Sequence, residues 1–133
     1  MSKYLTTLAL IVGGIFPIIM DVGNTHLLNP DWESHARVHL AWMLSTNFLI
    51  FLLGMYLLWI KEKEITPALL GLCIHVGFVI SAVSMPLYGG ASVGQGLSAP
   101  STLGLPLNIF VFSSALIVQL VALALIFRKK AST

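Results

Sequence analysis

The sequence predicts an all-α fold, an integral membrane bundle of four helices, and three observations carry that prediction. Apolar residues make up 57% of the chain, charged residues only 9%, and the mean hydropathy is +0.94, far from a soluble globule. Four apolar stretches, with helices predicted over about 4–20, 34–60, 66–86 and 104–128, are each long enough to cross a hydrocarbon core of ~30 Å at a rise of ~1.5 Å per residue. The basic residues also alternate between ends. Lys3, Lys61, Lys63, Arg128, Lys129 and Lys130 fall on the side that four crossings give to the termini, and Arg37 alone falls on the other. By the positive-inside rule both termini are expected in the cytoplasm, with the chain multi-pass in the cell's inner (cytoplasmic) membrane.

The whole chain, residues 1–133, reads as one domain. Its net charge of +2 follows the membrane pattern, so it is no sign of a nucleic-acid partner. No phosphate-cradling glycine loop or nucleophile elbow is present. Lys3 before an apolar run could open a signal peptide, but no small-x-small site closes the run, and the first helix is expected to be retained. Cys73 is the single cysteine, which excludes an intramolecular disulfide.

In the first helix, Gly13-Gly14 permits close packing and Pro17 predicts a bend before Asp21. Asn29-Pro30 predicts a turn, and Asp31 or Ser34 the cap of the second helix. That helix carries His35 and His39 at i and i+4, with Met43, Thr46 and Asn47 expected on roughly the same face. The face is expected to turn inward, because lipid offers a His, Thr or Asn no partner. His75 stands mid-span in the third helix and needs a partner for the same reason; that helix is expected to end at Met85-Pro86. The charge-free Gly/Ser/Pro-rich stretch 87–104 reads as a compact lid, and the fourth helix, with Asn108 and Gln119, as mainly structural. Trp32 and Tyr88 at one boundary, Tyr4 and Trp59 at the other, suit an aromatic belt.

Two chemistries are open to these histidines. His35 and His39 could share a metal ion with Asp31, Glu33 or Asp21 as oxygen ligands. One imidazole could instead be the axial ligand of haem, with Trp42, Met43 and Phe48 as apolar walls. Arg37 would then pair with Asp31 or Glu33, with lipid phosphate or with a haem propionate. His26, in a loop, is expected to be an exposed bystander.

The run PDWESHARVHLAWMLSTN resembles the segment of styrene oxide isomerases in which a Trp precedes an Ala-Arg-x-His element at the start of the second membrane helix. The run HVGFVISAVSMPLYGGASVGQGLSAPSTLGLPLNIFVF is similar to that family's Val-Gly-Phe helix, Gly-x-Ser-x-Gly loop and Ile-Phe entry to the last helix. The resemblance covers roughly residues 29–125, and its strength lies in the joint order of motifs that are individually common.

The resemblance implies a homotrimer with ferric haem b on His39, near His35, Arg37, Trp42 and Met43. It implies a small apolar substrate such as an aryl epoxide, which opens toward a benzylic cation and closes to an aldehyde by a hydride shift. Asn47 and His75 stand as candidate catalytic groups. Three positions depart from the family. Val79 replaces its tyrosine after Val-Gly-Phe, Ser45 its asparagine six residues past the axial histidine, and His75 its asparagine before Val-Gly. His75 could be a second axial ligand or a distal acid–base group. The alternatives are a non-enzymatic haem or small-molecule carrier, an accessory subunit, or a His/carboxylate metal site.

Overall fold

A computed structural model of the chain describes residues 1–92 and 100–132. In chain order these form α1 (Ser2–Gly14), α2 (Phe16–Asp21), α3 (Ser34–Met55) continued by a π-helical turn (Tyr56–Ile60), and α4 (Ile65–Tyr88). A small hairpin, β1 (Ser101–Thr102) with β2 (Leu105–Pro106), leads into α5 (Leu107–Ala131). α1 with α2, α3 with its π turn, α4 and α5 are four helical spans long and apolar enough to cross a membrane, as befits a multi-pass membrane protein.

The bend expected at Pro17 is the break between α1 and α2. Proline near the start of α2 cannot donate to the preceding turn, so the helix restarts around Ile15. The close packing expected of Gly13-Gly14 is present too: a Cβ on Gly14 would overlap Phe51 of α3, and one on Gly13 would lie 3.1 Å from Ile74 of α4. Gly54 admits Leu10, and Gly71 admits the Gln119 amide. These small residues draw the backbones together around a core in which Thr6, Ala9, Leu10, Leu58, Ala68, His75, Gln119 and Ala122 are completely buried.

The two chain termini share an end of the bundle, here the terminal end. Ser2 Oγ donates to Glu64 Oε2 at 2.6 Å and Lys129 Nζ to Glu64 Oε1 at 3.2 Å, tying α1, the α3–α4 connection and α5 together. The Ser2 hydrogen bond, helped by Lys129 and opposed by burial, holds the Glu64 carboxyl below its ordinary pKa. Beside it Trp59 Nε1 donates to Thr7 Oγ1 at 3.0 Å, Tyr4 meets the Trp59 ring edge-on at 5.7 Å, and Lys3 Nζ lies 4.8 Å over it.

At the opposite, loop end three expectations are corrected. Glu33, not Asp31 or Ser34, caps α3, its carboxylate accepting from the His35 N–H at 3.4 Å. α4 runs past Pro86 to Tyr88, where Gly89 at φ 69° ends it. On the N-terminal side of Pro86, Ser84 Oγ donates to Ile80 O at 2.7 Å and Tyr88 Oη to Ser81 O at 2.8 Å. The third is the start of the last helix, expected at about residue 104: the chain there reverses in a hairpin through Leu103 and Gly104, both at positive φ, and α5 begins at Leu107. The rest of the predicted lid, residues 93–99, lies outside the described residues.

Candidate functional site

Toward the loop end the four spans part around a cavity of about 610 Å³, within the usual range for small-molecule sites. The parting follows from side-chain size. Where the terminal half brings glycine and alanine together, this half sets Phe78 against Phe112, stacked at 4.1 Å, with Phe16 edge-on to Phe112 at 6.5 Å. Pro17, Met20, Met43 and Ile74 complete the apolar wall. Asn47 marks the floor, because its carbonyl lies beside Gly14 where α1 and α3 touch.

Polar groups gather at the roof. Asp21 is the one formally charged residue among the described lining residues, and it stands with Thr25, His26, Ser92 and Asn108. The Asp21 Oδ1 to His26 Nδ1 separation is 3.9 Å, an ion-pair distance but too long for a hydrogen bond. His26 Nδ1 instead meets Thr25 Oγ1 at 3.0 Å, and its ring stands edge-on to Trp32 at 5.4 Å. Asn108 is fixed in place, donating from Nδ2 to Ser92 O at 3.1 Å and accepting from its neighbour Ile109 N–H at 2.8 Å. Asn47 is the contrast: its amide makes no hydrogen bond among the described residues, which leaves a donor and an acceptor at the floor. His26 is thus half-buried at the cavity rim where an exposed loop position was expected, and α5 lends Asn108 and Phe112 to the lining.

The face expected to unite His35, His39, Met43, Thr46 and Asn47 divides. Met43 and Asn47 line the cavity, while His35, His39, Trp42 and Thr46 are exposed on the outside of α3. Helical geometry explains it, since each step of four residues overshoots a full turn by about 40°, and three steps carry Asn47 well round from His35. On the outer face His35 Nε2 and His39 Nε2 lie 2.9 Å apart, and the His39 ring lies near-parallel to Trp42 at 6.3 Å. Among the described residues no three His, Cys, Asp or Glu side chains are placed to hold a metal ion, so no carboxylate completes this pair. Arg37, half-buried, makes no ion pair with Asp31 or Glu33. It thus keeps its guanidinium available.

His75 is completely buried between α4, α1 and α5, 5.8 Å from the Phe112 ring, with Nε2 3.1 Å from Ala9 O. A carbonyl only accepts, so in the neutral ring Nε2 carries the proton and Nδ1 is a bare acceptor, without a partner among the described residues. The cavity wall on α4 passes through Cys73, Ile74, Gly77 and Phe78 but not His75. In one chain His75 thus shares neither the exposed face of His39 nor the cavity.

Comparison of the chain with protein-family models, curated proteins and solved structures finds no match.

Proposed function

We propose that this chain is a multi-pass membrane protein whose function is to bind a small, mostly apolar molecule in the loop-end cavity. The observation that carries the reading is the cavity itself: about 610 Å³, walled by aromatic and methionine side chains, with its few polar groups at the roof and floor, as small-molecule sites are commonly built. Thermal unfolding in mild detergent, with a panel of small aryl epoxides, alcohols and amines, tests it. A ligand at a hundred times its Kd stabilises by about 2.7 kcal/mol, and Gly77→Phe, which enters open space at the cavity wall, should remove the effect. A melting temperature that is flat across the panel, or a shift that survives in Gly77→Phe, overturns the reading.

A second reading is favoured by one observation, an exposed imidazole beside a near-parallel indole on an apolar helix. It is the haem-b-dependent epoxide isomerase that the resemblance to styrene oxide isomerases implies, in a homo-oligomer, a trimer by that resemblance. The residues fit the group on the outside of α3 and not inside the bundle, where His75 is closed off. His39 would hold the iron once its Nε2 parts from His35, Trp42 and Met43 would flank the ring, and Arg37 would be free to meet a propionate. When bound, haem b supplies a ferric Lewis acid for redox-neutral epoxide opening. The surrounding apolar side chains would keep out the water that traps a cation as a diol. A neighbouring copy packed on the same outer face would cover His35 and His39, which lipid cannot solvate. The charge asymmetry supports cytoplasmic termini in the inner membrane. A Soret band in protein made with ample haem, lost in His39→Ala and kept in His75→Ala, is expected; no band, or a band unchanged in His39→Ala, removes this reading.

A further inference from the structure

The cavity is open on one side. Met43 of α3 and Cys73 and Gly77 of α4 all line it, and all three are exposed. A Cβ built on Gly77 meets no atom within 4 Å, so among the described residues nothing packs against the cavity at this exposed position. These residues sit well inside their spans: Cys73 is about 12 Å along α4 from Ile65, and Gly77 one turn further. The gap between α3 and α4 therefore opens at the depth of the hydrocarbon core, where water is scarce and apolar solutes concentrate.

The polar chemistry is one-sided as well. No Lys or Arg stands among the described lining residues, and Asp21 is the one formal charge. Its carboxylate has His26 at 3.9 Å and no side-chain hydrogen bond among the described residues. An anionic head would meet a carboxylate that has only the His26 imidazole, 3.9 Å away, to offset its charge and no Lys or Arg, whereas a hydroxyl or ammonium would give Asp21 the donor it lacks.

Building on the proposal that this cavity binds a small molecule, we propose that it takes an amphiphile with a hydrogen-bond-donating head, an alcohol or an amine, entering sideways from the bilayer through the Met43–Cys73–Gly77 gap. The apolar body lies between Phe78 and Met43, and the head rises to Asp21 and His26. Because Asn47 and Asp21 mark floor and roof, and Asp21 lies two helical turns above Gly14, the body is about 10 Å long.

Cys73, the single cysteine, reports on this gap in the full-length protein in lipid nanodiscs. A pyrene maleimide dissolved in the bilayer should label it at least several-fold faster than a sulfonated maleimide in water. Decylamine and decanol should each slow labelling several-fold and decanoate should not. Asp21→Asn should remove the advantage of decylamine over decanoate, each rate being taken relative to the same variant without amphiphile. As a control on the same helix, Cys73→Ser with Val83→Cys, an exposed position outside the cavity lining, should label with no protection by any of the three.

The arms separate the sources of the chemistry and the failures. Protection by decylamine alone assigns an ammonium, and protection by decanol alone a hydroxyl. Equal protection by decanoate overturns the head-group assignment and leaves the cavity reading standing, whereas protection by none overturns both. Faster labelling by the sulfonated reagent, or a Cys73–Cys73 disulfide showing that a second copy covers the gap, overturns the sideways route.

Discussion

The terminal and loop halves of this bundle are made of the same four spans and behave oppositely. In the terminal half Gly54 accepts Leu10, Gly71 accepts Gln119, and Ala9, Ala68 and Ala122 are buried. In the loop half Phe16, Phe78 and Phe112 prop the helices apart after the Pro17 break, and the space between them is the cavity. The difference shows how a membrane bundle divides its work. Small residues supply close backbone approach and dispersion, which must hold the helices where lipid gives no hydrophobic drive. Rings held off that approach leave room for a ligand.

The contrast is easiest to break at its boundary. Gly14 is the last point of close approach below the cavity, so Gly14→Leu should cost about 3 kcal/mol or more by overpacking against Phe51. Gly77→Ala, facing open space one level above, should leave stability within ~1 kcal/mol or raise it by removing a helical glycine. Denaturant unfolding in detergent compares them, and equal losses would erase the distinction between halves. A smaller effect is expected inside the tight half. Gln119 is fully buried, and neither amide atom has a partner among the described residues. Gln119→Leu should therefore stabilise by about 1–2 kcal/mol; a loss of stability would mean that buried water completes the amide's hydrogen bonds. The smallest effect belongs to the clasp at the terminal end. Because the folded Glu64 carboxyl titrates below its ordinary value, its contribution is present above that value and fades as pH falls through the lowered one. Held by one hydroxyl and one exposed lysine, it should be worth a few tenths of a kcal/mol. Glu64→Gln should flatten the acid limb of the stability profile by that amount.

The sequence made the four spans legible because length, hydropathy and charge placement act locally. Gly13-Gly14 and Pro17 were legible too, since close approach and a helix break are properties of those residues themselves. The site was read less well. His35, His39 and Asn47 were grouped by steps of four, and the accumulated 40° overshoot per step placed them on different sides of α3. His26 and Asp21 come together because the chain turns back on itself straight after α2, the Leu27 N–H donating to Asp21 O at 3.0 Å and the His26 N–H to Gly23 O at 3.1 Å, and no spacing rule foretells that closure. α4 passes Pro86 and continues to Tyr88, and a proline inside the last turns of a helix marks its end no more firmly than it marks a kink. A hairpin with Leu103 at φ 54° gives no glycine signal at that position.

The central claim, that the loop-end cavity and not the outer face of α3 receives the small molecule, is tested most directly by photo-crosslinking. A diazirine-bearing medium-chain alcohol, irradiated with the protein in nanodiscs and mapped by mass spectrometry, should modify Met43, Cys73 and Phe78, with the adducts lost in Gly77→Phe. Adducts confined to His35, His39 and Trp42 would contradict the account.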